Sequence, residues 1–197
     1  MNKDSRYLLL PFLLIGLTAC GFVNQNVKVA YAPVTTSISS NKPIYKIHLE
    51  MEDARDVKDI IGDWCNKMHV ISPANNIPQL IFDSIVSEFR NRGYAFDDKG
   101  ILVRVRLLKF YVSACTHNLD YGNVQFIVEV VGQHGDVIYL DRAVGVYERE
   151  PNLFADFWTG HTTSHSIQTL EKALGMAMEK FLNNQLIFEA IEKASVR

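Results

Sequence analysis

What the chain lacks narrows it first. Three cysteines in 197 residues are too few to staple a disulfide-framework fold. Lysine and arginine number 20 against 22 aspartates and glutamates. No basic excess is available to neutralise a phosphate backbone, which argues against a dedicated nucleic-acid binder. There is no glycine-rich phosphate loop, nucleophile elbow, His-Glu-x-x-His, Cys-x-x-Cys or calcium loop, so no local signature assigns a reaction. A catalytic group assembled from distant residues survives that search. Apolar runs stop well short of the roughly 20 residues of a transmembrane helix, and no repeat at a solenoid period appears. The remainder, 48% hydrophobic and 21% charged, is ordinary globular composition for one domain.

The N-terminus carries an address. Lys3 and Arg6 form a short basic head, and Tyr7 to Leu17 is an apolar run of 11 residues broken only by Pro11 and Gly16. That length fits the apolar region of a secretory signal. It ends in Leu17-Thr18-Ala19-Cys20, which resembles the bacterial lipobox. The resemblance implies a signal peptide over 1–19, cleavage before Cys20, and lipidation of Cys20 with palmitate-type chains that anchor the protein without spanning. Gly21 stands where an aspartate would retain such a protein in the inner membrane. The outer membrane, periplasmic side, is therefore expected, with the inner membrane as the alternative.

Residues 20–43 read as the lipidated Cys and a tether, rich in Asn, Gln, Thr and Ser, with an edge strand near Val27 to Tyr31. Residues 44–197 read as a single periplasmic domain. Ile47, Leu49 and Met51 alternate with polar residues as a half-buried strand, and the pieces around Ile60-Ile61 and Met68 to Ile71 read as a small hairpin. Asn75-Asn76 can cap a helix whose Ile77, Ile81, Ile85 and Phe89 recur every four residues, ended by Gly93. Ile101 to Val112, Val124 to Val131 and Val137 to Tyr147, joined by short turns, predict an antiparallel meander. Ser164 or Ser166 can cap a second helix burying Ile167, Leu170, Leu174, Ala177, Met178 and Phe181, and Leu186 to Ala194 forms a short last one. The expected fold is α+β: a mostly antiparallel sheet with two amphipathic helices on one face and a short C-terminal helix.

Several residue groups are candidates for chemistry. His161 and His165 have the spacing of paired helical metal ligands, but they read as polar loop histidines with no carboxylate at a helpful offset. Asp53, Asp56 and Asp63 could collect at one end of the sheet to hold a hard cation; interleaved Arg55 and Lys58 make them read as solvated loop charges. Arg104 and Arg106 share a strand face and, with Lys109 or Arg142, form either an anionic-ligand patch or a solvent face. Cys65 and Cys115 are a candidate disulfide in an oxidising compartment; spacing alone does not bring their Cα atoms together. Phe154, Phe157 and Trp158 lie outside any helical or strand period. They form either an interaction loop or a plug closing the core. No catalytic residue, metal or cofactor is assigned.

The order of short motifs resembles the YajG-type family of bacterial lipoproteins. The match runs through Asp53-Ala54-Arg55, Ile61-Gly62, Ser72-Pro73-Ala74-Asn75, Arg92-Gly93-Tyr94 and Tyr121-Gly122-Asn123-Val124 to the terminal helices. It implies an outer-membrane-associated lipoprotein without a catalytic assignment. Cys20-Gly21-Phe22 also resembles the mature start of lipopolysaccharide-assembly lipoproteins. The expected function is a non-enzymatic binding or assembly module in the cell envelope. It would be held to the membrane by its lipid and partnered by a protein or envelope component. The alternatives are a lipopolysaccharide-assembly-type lipoprotein and an envelope hydrolase with a dispersed His-centred site.

Overall fold

One long strand, Ile101–Thr116, organises the sheet. The computed structural model describes residues 24–33, 45–64, 69–116, 119–150 and 163–196. In chain order these form β1 (Asn24–Val27), β2 (Lys46–Asp53), β3 (Gly62–Trp64), β4 (His69–Pro73), α1 (Ile77–Asn91) and β5 (Ala95–Phe96). There follow β6 (Ile101–Thr116), β7 (Leu119–Val131), β8 (Val137–Arg149), α2 (Thr163–Leu182) and α3 (Gln185–Val196). The expected meander is present, with β6–β7 and β7–β8 antiparallel over most of their lengths. Gly135, at a φ of 83°, makes the β7–β8 reversal, a conformation glycine adopts without steric penalty.

The other edge of β6 serves two strands in turn. β2 lies parallel to its first half, Ile47 opposite Ile101 and Asp53 opposite Leu107. β3 lies parallel to its second half, Gly62 opposite Val112. Between them Leu108 falls at a register shift in the β6–β7 ladder, an irregularity that increases local twist where one neighbour leaves and the next arrives. β3 continues into β4 as the expected hairpin, β1 adds parallel to β4, and β5 adds parallel to β2.

The eight-stranded sheet is therefore mixed, which corrects the expectation of a mostly antiparallel sheet carrying two amphipathic helices and a short C-terminal helix. Four of its seven pairings are parallel, and three helices pack on it. The physical reason is the connection. The chain leaves β2 and returns to β6 only after β3, β4, α1 and β5, a crossover long enough to bring it back in the same direction.

One hydrophobic core joins the inner sheet face to all three helices. α1 buries Ile77, Ile81, Ile85 and Phe89, as its four-residue spacing predicts. Asn76 caps it by accepting from the Gln79 amide. The stripe expected on α2, Ile167 to Phe181, is buried throughout. α2 already includes Thr163, so Ser166 lies inside the helix, buried, rather than capping it. Two glycines let α2 approach the sheet. A Cβ at Gly122 would stand 2.7 Å from the Thr169 carbonyl oxygen, and one at Gly145 would collide with the backbone of Ala173 and Ala177.

Candidate functional site

A groove of about 680 Å³ runs along the outer side of α2. Its floor is helical: Gln168, Glu171, Lys172, Gly175, Met176 and Glu179 recur at the three- and four-residue spacing of one face. Ala30, Tyr31 and Ala32 form one wall and Tyr147 of β8 contributes to the other side. Met176 is 46% exposed, and a Cβ at Gly175 would meet nothing within 4 Å. The lining is chiefly apolar with a charged margin, the composition of a recognition surface.

The Ala30 wall exists because the chain after β1 is fastened across the helices. Val29 is buried in the core, the Ala30 amide donates to Glu171 Oε1 at 2.7 Å, and the Tyr31 hydroxyl donates to buried Glu88 at 2.9 Å. On the far side Lys172 Nζ donates to the Tyr147 hydroxyl at 2.9 Å and lies 4.6 Å from its ring centroid. The expected edge strand thus falls at Asn24–Val27, and Val29 to Tyr31, read from sequence as strand or tether, becomes a clamp over α2. Sequence reasoning missed this groove; the only available signal was the polar stripe of α2 interrupted by Gly175 and Met176.

The outer face of the sheet brings Arg104 and Arg106 together, as their alternation implies, but already neutralised. Arg104 pairs with Glu50 at 3.1 Å and Glu129 at 3.4 Å, and Arg106 with Glu129 at 2.8 Å. Hydrogen bonding by Glu50 raises the Arg104 pKa above its ordinary value. Arg142 stands in the row of Arg106 across Ile127, and Lys109 is exposed beyond the register shift. The arrangement is an ion-pair ladder.

The three aspartates do not collect. Asp53 is held by Arg55 through two 2.8 Å bonds, which hold its carboxyl below the usual range. Asp63 accepts from Ser113 at 3.0 Å, and Asp56 is exposed. A cleft of about 270 Å³ opens where β2 parts from β6, lined by Arg55, Asp56, Val57 and Leu108 to Tyr111. His165 stands half-buried in the first turn of α2; fully buried Asp120 lies 3.7 Å from Arg149. Among the described residues no three His, Cys, Asp or Glu side chains are grouped to hold a metal ion, and no helix is long and apolar enough to cross a membrane. Cys20, Cys65, His161 and the loop carrying Phe154, Phe157 and Trp158 lie outside the described residues, as does the Cys115 side chain.

Neither a protein-family model nor a curated protein matches the chain. Its fold is shared with the crystal structure of protein XCC0632 from Xanthomonas campestris, of the family DUF330. The TM-score is 0.65 at 11% identity, over 88% of this chain and 100% of that one. A second crystal structure, of an uncharacterized protein, aligns with a TM-score of 0.43 at 10% identity over 82% and 99%.

Proposed function

We propose that this chain is a lipid-anchored envelope lipoprotein on the periplasmic side of the outer membrane. In this reading it binds a protein or envelope component and performs no reaction of its own. The observation that carries the reading is Leu17-Thr18-Ala19-Cys20 closing an 11-residue apolar run behind Lys3 and Arg6, the architecture of a lipoprotein signal. The order of motifs resembling the YajG-type family supports the same address. The α2 groove supports a binding role, since it offers an accessible, largely apolar surface with an adaptable methionine.

Metabolic labelling with an alkyne fatty acid tests the anchor. The wild-type protein takes the label and fractionates with membranes, and Cys20→Ser accumulates as unlabelled precursor; label persisting in the variant refutes the reading. A photocrosslinking residue at position 176 tests the groove. It should give an adduct of discrete mass in intact cells that the same residue at exposed Lys193 does not. Equal adducts at both positions would deny the groove a specific partner.

A further inference from the structure

We propose that the domain is seated directly on the lipid headgroup layer by one defined end of its sheet. The inference rests on the anchor reading above and concerns what the anchor does to the fold. Composition makes residues 21–43 a 23-residue tether. The sheet, however, begins at Asn24, so only Gly21, Phe22 and Val23 separate it from Cys20. Four residue steps span at most about 14 Å fully extended.

The register shows which end is held. One row of backbone partners crosses the sheet from β1 to β8: Asn24 with Val70, Val70 with Asp63, Asp63 with Ser113, Ser113 with Tyr121, Tyr121 with Glu148. β1 runs opposite to β6, so its first residue stands where β6 finishes, β7 begins and β8 ends. The β3–β4, β6–β7 and β8–α2 connections all depart from this end. The Gly132–Asp136 reversal stands at the other, ten residue steps along β7 from Tyr121, or about 34 Å of strand. An acylated cysteine places its backbone at headgroup level. A three-residue leash then holds Asn24, the β1 corner of this row, within about 14 Å of that surface; with the whole row seated there, the long strands point away from it. The leash length, rather than any charge on the row, selects lipid as the occupant. α2 starts at the same end, with Thr169 over Gly122, so the Gln168 end of the groove lies nearest the bilayer.

The acylated full-length chain in nanodiscs doped with a gadolinium-chelating headgroup lipid provides the test, read by amide NMR signals. Tyr121 and Glu148 should lose most of their intensity while Gln133 to Asp136 keep theirs. Inserting 20 Gly/Ser residues between Phe22 and Val23, a flexible spacer of about 25 Å, should remove the difference. An N-terminal peptide lacking acyl mass overturns the anchor reading and this inference with it. Acylated protein whose two ends broaden alike overturns the seating alone. An asymmetry that survives the insertion overturns the leash as its cause.

Discussion

Asn75 holds Val29 by both of its backbone groups. Its Oδ1 accepts from the Val29 amide at 3.1 Å and its Nδ2 donates to the Val29 carbonyl at 3.0 Å. One side chain thus completes the hydrogen bonding of a core residue beyond the end of β1. Adjacent Asn76 does a different job, capping α1. Asn75→Ala should cost about 1–3 kcal/mol, because two buried backbone groups lose their partner. Asn76→Ala should cost about 1 kcal/mol, the usual value of a cap. Urea unfolding of both variants measures the difference, and only Asn75→Ala should also expose the Ala30 wall to proteolysis.

Two glycines make opposite predictions. Gly145 faces the α2 backbone with no room for a methyl group, so Gly145→Ala should destabilise by about 1–3 kcal/mol through overpacking. Gly175 sits in α2 over open space, so Gly175→Ala should stabilise by up to about 1 kcal/mol through helix propensity. Thermal unfolding of the pair tests both signs.

Stability should fall in acid partly through one ion pair. Hydrogen bonds from Arg55 are the main cause of the lowered Asp53 pKa. A lowered folded value means stability that is present above the unfolded pKa of about 3.9 and disappears as pH falls through the folded value. Asp53→Asn should cost about 2–3 kcal/mol at neutral pH, since it weakens hydrogen bonds to a buried charge. It should also flatten the stability curve below pH 4, measured by urea unfolding across pH.

Phe89 is an aromatic hub. Its ring lies 5.2 Å from Tyr94, 5.8 Å from Phe181 and 5.9 Å from Phe188, tying α1 to α2 and α3. Phe89→Ala should cost about 3–5 kcal/mol. Burial, aided by the charge of Glu192, pushes the Tyr94 hydroxyl up to about 12. A raised phenol pKa gives stability that is intact below about 10 and lost as pH rises towards 12. Ultraviolet titration should show Tyr94 ionising earlier in Phe89→Ala.

The helices and the meander were legible because their periods are local. Ile77, Ile81, Ile85 and Phe89 can share a core face in only one conformation. The parallel pairings were not legible: the alternation of Ile47, Leu49 and Met51 decides which face is buried but says nothing about the direction of the neighbour. β5 has two residues and β3 three, too few to carry a pattern. The arginine face was visible in Arg104 and Arg106, while its neutralising partners, Glu50 and Glu129, arrive from other strands through register alone. The α2 groove was hidden for the same reason, since its wall comes from residues more than a hundred positions earlier.

β6 also governs the order in which this fold can close. The chain emerges from synthesis with β1 to β5 first; β3 can pair with β4 and the start of β2 with β5, but the β2 and β3 units meet only across β6. The β6-facing edges of β2 and β3 therefore stay unpaired until residues 101–116 are available, and β7 and β8 can then add by short reversals. Pairings of such long sequence separation slow folding and leave early strands open to aggregation. For this chain, the interval most exposed to such aggregation is the one before β6 is complete.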